Sequence, residues 1–268
     1  MKKINIVTII QARTGSSRLP NKVLFPLGNK NVLLFMLDRV KRSKLCGKIV
    51  VATTQEKNDD SIEMLCSISD TYCYRGDTYD LLDRHYKAAK IFNPDAVVKI
   101  PSDCPLIDPK VIDRVIHYYI LNYNKFDYVS NLHPQSYPDG NDVEIFSFSA
   151  LEKAWKEAKK DFEREHTTPY FWENPDKFKI GNILWETGLN YSLSHRWTLD
   201  YLEDYDFIRT VVDLLFEEKP YFDLYDILNL LEKRKDILLI NNKYLGVNWY
   251  RNHISELKTI NINETRLI

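Results

Sequence analysis

Through the first two-thirds of the chain, short runs of β-branched residues alternate with amphipathic helical patterns, the arrangement produced by a mostly parallel sheet covered by helices. Residues 6–10 read as the first strand. Residues 48–54 (KIVVATT) and 96–100 (AVVKI) are apolar runs suited to buried strands, and 128–130 and 143–146 read as two shorter ones. Between them, 80–92 carries apolar residues at helical spacing. Residues 109–122 do so through Val111, Ile112, Val115, Ile116, Tyr119 and Ile120, with Asp108 as N-cap and Pro109 in the first helical position. Ser149 and Glu152 have the spacing of a capping box for a helix running towards Lys160. After a mixed segment at 163–170 and a short apolar stretch at 196–201, helical patterns return over 203–218 and 223–234.

No linker rich in Gly, Ser or Pro interrupts these elements, so residues 1–240 read as one domain, followed by an extension, 241–268, to which the pattern assigns no role. Hydrophobic residues at 44% and charged residues at 28% exclude a disordered or fibrous chain. Basic and acidic residues nearly cancel, leaving a net charge of −1, so neither nucleic acid nor a membrane is an expected partner. No apolar run approaches the roughly 18 residues that span a bilayer, and Met1, Lys2 and Lys3 lead directly into the first strand. A cytoplasmic location is the expectation. Cys46, Cys66, Cys73 and Cys104 lack the C-x-x-C pairing of zinc or redox motifs and are expected as reduced thiols, Cys104 as a small buried residue.

The segment 9–22, IIQARTGSSRLPNK, places Arg13, Arg18 and Lys22 around Gly15 just after a buried strand. Loops at the carboxyl ends of strands are where open α/β sheets bind ligands. Gly15 can take a positive φ and, having no side chain, lets the backbone approach a phosphate, whose oxygens the N–H groups of Ser16 and Ser17 could meet. Arginines supply planar paired donors and the lysine a mobile point charge, a set suited to a triphosphate. The spacing matches neither the P-loop nor the dinucleotide pattern.

Asp103, in VVKIPSDCPLID, lies just beyond another buried strand, and RWTLD places Asp200 after a second apolar stretch. These two acids are the metal candidates. Magnesium, with manganese as an alternative, is held by one or two carboxylates together with substrate phosphates. Asp108 is accounted for as a helix cap, and Asp204 and Asp206 as first-turn helix charges.

Taken together, IIQARTGSSRLPNKVLFPLG, RGDTYDLLDRHYKAAK, PSDCPLIDP, YPDGNDVEIFSFSALEKAW, EREHTTPYF and HRWTLDYLEDYDFIR, in this order, resemble the cytidylyltransferase family of sugar-acid activation. That family includes the 3-deoxy-manno-octulosonate and acylneuraminate enzymes and a branch acting in spore-coat polysaccharide biosynthesis. The resemblance implies a Rossmann-like GT-A-type nucleotidyltransferase fold, a mostly parallel mixed sheet flanked by helices, and usually a homodimer, with 125–200 supplying acceptor-side and dimerisation elements.

By the same resemblance CTP binds at Gln11, Ala12, Arg13, Gly15, Ser16, Arg18 and Lys22, with Ser102 and Asp103, magnesium is held by Asp103 and Asp200, and Arg75, Gly76, Asp77 and Asp80 line the base or ribose pocket. Arg13, Lys22, Asp103 and Asp200 form the catalytic set. Asp139, Asn141, Asp142, Glu144, Arg164, His166 and Arg196 face an acceptor that is a sugar acid or sugar phosphate. Gln11 stands where the better-characterised enzymes commonly have proline, so their acceptor specificity is not carried over. The alternatives are a glycosyltransferase of similar topology, which would release nucleoside diphosphate instead of pyrophosphate, and a non-catalytic nucleotide-binding protein.

Overall fold

The computed structural model describes residues 4–267. In chain order the elements are β1 (Ile6–Gln11), a small hairpin β2 (Pro26–Leu27) and β3 (Lys30–Asn31), α1 (Val32–Val40), β4 (Lys48–Thr54), α2 (Asp60–Ile68), β5 (Tyr72–Gly76), α3 (Leu81–Lys90), β6 (Ala96–Pro101) and α4 (Pro109–Leu121). There follow β7 (Tyr128–Ser130), β8 (Glu144–Ser147), α5 (Phe148–Glu157), α6 (Asp161–His166), α7 (Pro169–Trp172), β9 (Ile180–Asn182), α8 (Leu202–Leu215) and α9 (Leu224–Lys233). Seven strands form one sheet in the order β5-β4-β1-β6-β8-β7-β9. β5, β4, β1 and β6 run parallel; β8 is antiparallel to both its neighbours, and β9 pairs parallel with β7. This is the mostly parallel mixed sheet that the alternating pattern predicts.

Both faces of the sheet are buried, which explains why its central strands read as unbroken apolar runs. Along β1, Ile6 and Ile10 pack with α1, α4 and α8, whereas Val7 and Ile9 pack with α3 and α5. Asp108 caps α4 as expected, its carboxylate accepting from the Lys110 N–H at 2.7 Å, and also accepts from the Leu224 N–H at the start of α9. Arg39 on α1, fully buried, donates to the carbonyls of Leu106, Ile107 and Phe222, bracing the turn that follows Asp103.

The helix expected from Ser149 starts two residues earlier. Ser147 is its N-cap, its hydroxyl accepting from the Ala150 N–H at 3.1 Å, and Glu152 accepts instead from the Tyr86 hydroxyl. α1 carries no readable periodicity because seven of its nine residues are buried, so no polar face marks it. All four cysteines are free thiols, and Cys104 is fully buried. Among the described residues no helix is long and apolar enough to cross a membrane.

One glycine decides how two distant segments meet. Gly140 has φ 103°, and a Cβ there would fall 2.7–2.9 Å from backbone atoms of Trp197 and Thr198. Asp139 and Arg196 bridge in parallel at this contact. Only a residue without a side chain lets 139–142 lie against 196–200, which carries Asp139 and Asp142 to the same cleft as Asp200.

Candidate active site

The loop after β1 is held from below by one buried carboxylate. Asp59 accepts from the N–H and hydroxyl of Thr14 at 2.8 and 2.6 Å through one oxygen, and from the hydroxyls of Thr53 and Thr54 through the other. These bonds keep Asp59 ionised: burial pushes its carboxyl up, but the donors outweigh it and the net shift is downward. Gly15 does not use its freedom to take a positive φ; Asn21 has one, at 61°, where the loop turns into Lys22. A Cβ on Gly15 would meet nothing within 4 Å, so the loop's open side, not backbone strain, is what glycine leaves free.

Lys22 joins the loop to the two distant acids. Its Nζ lies 3.0 Å from Asp200 Oδ1 and 3.8 Å from Asp103 Oδ2, and also donates to the Leu199 carbonyl. Arg18 reaches the same Asp200 oxygen at 2.6 Å, and Arg196 stands 3.5 Å from the other. Burial would push the Asp200 carboxyl up, yet Lys22, Arg18 and Arg196 hold it well below the usual carboxylate range. The backbone fastens the pair as well: the Asp103 carbonyl accepts from the Leu199 N–H at 2.7 Å and from the Thr198 hydroxyl at 3.2 Å.

These groups line a cleft of about 420 Å³ across the carboxyl ends of the parallel strands. Of the expected residues, Gln11, Ala12, Arg13, Ser16, Arg18 and Lys22 line it from the loop, and Ser102 and Asp103 from the turn after β6. Asp139, Asp142, Glu144, His166 and Asp200 line the remainder.

Others are placed elsewhere. Arg75 points along the sheet edge to Asp60 and Glu63 at 2.6 and 2.9 Å. Gly76 packs under Arg84, Asp77 accepts from the N–H groups of Tyr79 and Asp80, and Asp80 caps α3 while pairing with Arg164. Asn141 is buried, bonding the Pro138 carbonyl and the Asp108 N–H. Arg196 lies beneath the cleft, its Nε 2.9 Å from the fully buried Asp204. Asp204 is thus more than a first-turn charge, whereas Asp206 is an exposed partner of Arg209. Arg75, Asp77, Asp80, Asn141, Arg164 and Arg196 thus each already have a hydrogen-bond or ion-pair partner within the fold.

The electrostatics divide the acids. Glu144 is held ionised by Lys99, which overrides its burial, and it also accepts from the Tyr128 hydroxyl at 2.6 Å. At Asp142 burial, then the charges of Asp103 and Glu144, outweigh the weaker pull of Lys99 and push its carboxyl up to about 7. Burial and neighbouring acids raise Asp139 well above its ordinary value despite Arg196. Burial lowers His166 to about 3 and His133 to about 4, so both rings are neutral at physiological pH.

The Asp142 shift has a testable sign. A carboxyl raised on folding favours the folded state below its unfolded value near 4, and that advantage is lost as pH rises through about 7. Asp142→Asn is therefore expected to raise thermal stability only slightly at pH 5, about one unit above the unfolded value, and much more at pH 8. Calorimetry at the two pH values checks this, and equal melting shifts at both would count against a titrating Asp142.

Several cleft residues escaped the sequence reading: Lys99, Arg84, His133, Trp172, Trp249, Tyr250 and His253. A lysine inside the apolar run AVVKI was a legible signal, since a buried cation needs a partner. The aromatic wall was not legible. Trp249 stacks on His166 with centroids 3.9 Å apart, and Trp172 and Tyr250 pack beside it, so the C-terminal extension closes one side of the cleft.

Asp103 and Asp200 both face the cleft, and carboxylate oxygens are the donor type that a hard divalent cation takes. Among the described residues no group of three or more His, Cys, Asp or Glu side chains is arranged to hold a metal, so at most two protein carboxylates are on offer. That number fits magnesium, which fills its shell from waters and substrate phosphates.

A strand order of this kind, with a cationic loop after the first strand and two carboxylates meeting it at the strand ends, suits a nucleotidyltransferase site. A family model described as cytidylyltransferase matches residues 7–243, and the chain belongs to that family. Its sequence is 39% identical over 249 residues to the uncharacterised protein MJ1063 of Methanocaldococcus jannaschii, covering 89% of this chain and 95% of that one. It is 29% identical over 237 residues to the spore coat polysaccharide biosynthesis protein SpsF of Bacillus subtilis, covering 87% and 96%. Its fold superposes on a cytidylyltransferase from Leptospira borgpetersenii with a TM-score of 0.83 at 34% identity, covering 88% of this chain and 97% of that one. Membership of this family makes the protein an enzyme of the nucleotidyltransferase class, in place of the glycosyltransferase and non-catalytic alternatives.

Proposed function

We propose that the protein transfers CMP from CTP to a sugar acid or sugar phosphate, releasing pyrophosphate, in the biosynthesis of a surface polysaccharide or glycoconjugate. The observation that carries this reading is the position of Lys22, within ion-pair distance of both Asp103 and Asp200 at the mouth of the cationic loop. Arg13, Arg18 and Lys22 hold the triphosphate, and an acceptor oxygen attacks the α-phosphorus in line, displacing pyrophosphate. Magnesium, or manganese, held by Asp103 and Asp200, supplies charge neutralisation at the phosphates.

The acceptor occupies the side of the cleft bounded by Asp139, Asp142, His166 and Trp249. An anomeric hydroxyl must lose a proton on attack, and Asp142, poised near neutrality, has the proton affinity for that task; a sugar phosphate is already an anion and needs no base. The same proposal places the enzyme in the cytoplasm as a homodimer joined through 125–200, where Leu184, Leu189 and Leu193 are exposed.

The test is a screen of CTP, UTP, GTP and ATP with magnesium against sugar acids and sugar phosphates, read by pyrophosphate release. Pyrophosphate is expected with CTP in preference to the other three. Equal use of all four, or release of nucleoside diphosphate, would defeat the proposal. Sedimentation velocity tests the homodimer separately.

A further inference from the structure

Arg84, on the second turn of α3, is 3% exposed and lines the cleft. Its Nε and Nη1 have no hydrogen-bond acceptor among the described residues. The stem packs against Gly76, where an added Cβ would come within 3.1 Å of Arg84 Cγ, so the side chain has little room to swing away. A buried guanidinium without a carboxylate partner carries a large desolvation cost, and proteins rarely retain one unless something else supplies the counter-charge.

The neighbouring cation sharpens the point. Arg13, also lining the cleft, donates to the Thr78 carbonyl at 3.3 Å, in the turn that leads into α3. Burial, then the like charge of Arg13, lowers Arg84 to about 10, which leaves it protonated at physiological pH. Asp59, Asp77 and Asp80 are the acids whose fields reach it; Asp59 is occupied by Thr14, Thr53 and Thr54, Asp77 by backbone N–H groups, and Asp80 by Arg164. Two arginines therefore face one cleft, and although the fields of Asp59, Asp77 and Asp80 offset part of their repulsion, among the described residues no acid is ion-paired with Arg84.

We propose that Arg84 and Arg13 together form a phosphoryl-binding pair, in which an anionic phosphate oxygen of the nucleotide supplies the counter-charge that the fold withholds from Arg84. The inference rests on the reading of the cleft as a nucleotide site, but it concerns a residue that the sequence motifs did not single out. The region RGDTYDLLDR thus meets the nucleotide through Arg84 and the 78–81 turn, not through Arg75 or Asp77.

The experiment is calorimetric titration of the wild type, Arg84→Met and Arg84→Lys with CTP and with inorganic pyrophosphate, in EDTA so that no divalent cation contributes, together with the melting temperature of each ligand-free protein. Arg84→Met is expected to weaken both ligands by at least about 10-fold, with Arg84→Lys intermediate, because the methionine keeps the stem's packing and removes the charge. The ligand-free Arg84→Met protein is expected to melt at the same temperature as the wild type or higher, since an unpaired buried charge has gone. A merely structural arginine would lower it.

Unchanged affinity for both ligands would overturn the proposal. So would loss of CTP binding with pyrophosphate binding intact, which would put the contact on the base or ribose. If the wild type binds pyrophosphate but not CTP, while Arg84→Met loses pyrophosphate, the phosphoryl pair stands and the cytidylyl reading falls.

Discussion

Asp103→Asn is expected to lower kcat for pyrophosphate release by roughly 10²–10³-fold, the scale of losing one pre-placed electrostatic group in a phosphoryl-transfer site. The fold should survive almost untouched. The Asp103 side chain is 31% exposed, and among the described residues its only ion pair is with Lys22 at 3.8 Å. Its backbone carbonyl, which accepts from Leu199 and Thr198, is the same in asparagine. The melting temperature should therefore stay within about 2 °C of wild type. Turnover within threefold of wild type, in a variant that melts normally, would remove Asp103 from the catalytic set. Titrating magnesium separates the causes: a variant rescued by excess metal has lost affinity, and one not rescued has lost chemistry.

Arg196→Met should act on stability first. Arg196 donates to Asp204 through Nε and Nη2 at 2.9 and 3.0 Å, to the Val247 carbonyl at 2.7 Å, and approaches Asp139 at 3.3 Å. Asp204 has no solvent contact and also accepts from the N–H groups of Asp200 and Tyr201 and from Asn241. Removing the arginine strands a buried carboxylate, at a cost of about 3–5 kcal/mol. For a chain of this size that lowers the melting temperature by roughly 10 °C. A second substitution, Asp204→Asn, in the same protein should recover part of the loss, because the stranded charge is gone. Calorimetry on the single and double variants decides it; an unchanged single variant would mean that Arg196 is not the keystone of this layer. Because the Asp200 backbone N–H donates to the Asp204 carboxylate, the single variant should also lose activity in excess of its unfolded fraction.

The elements that the pattern predicts are those whose local signals agree with their tertiary role. β4 and β6 are buried on both faces and read as apolar runs, and α4 starts at a cap and proline that stand in the sequence as written. α1 and β5 were hidden for opposite reasons: α1 is buried nearly all round, so it lacks a polar face, and β5 is an edge strand only partly covered. The misplaced start of α5 shows how two serines two residues apart compete for one cap. Ser147 holds it because β8 ends there, a fact belonging to the pairing of β8 with β6 and not to the helix.

By itself the sequence determined the sheet class, the cationic loop after β1, and the two acids to look for, because strands, charged loops and strand-end carboxylates leave marks within a few residues of one another. It also placed the chain near its family through ordered blocks. Only the tertiary structure decided which charged groups are free. Arg75, Asp80, Arg164 and Arg196 share blocks with true cleft residues, yet each is captured by an ion pair across the fold, whereas Arg84 is left without one. Partner choice of that kind depends on which side chains packing brings within about 4 Å, and a linear chain carries no mark of it until Gly140 lets two segments touch and α3 buries its arginine.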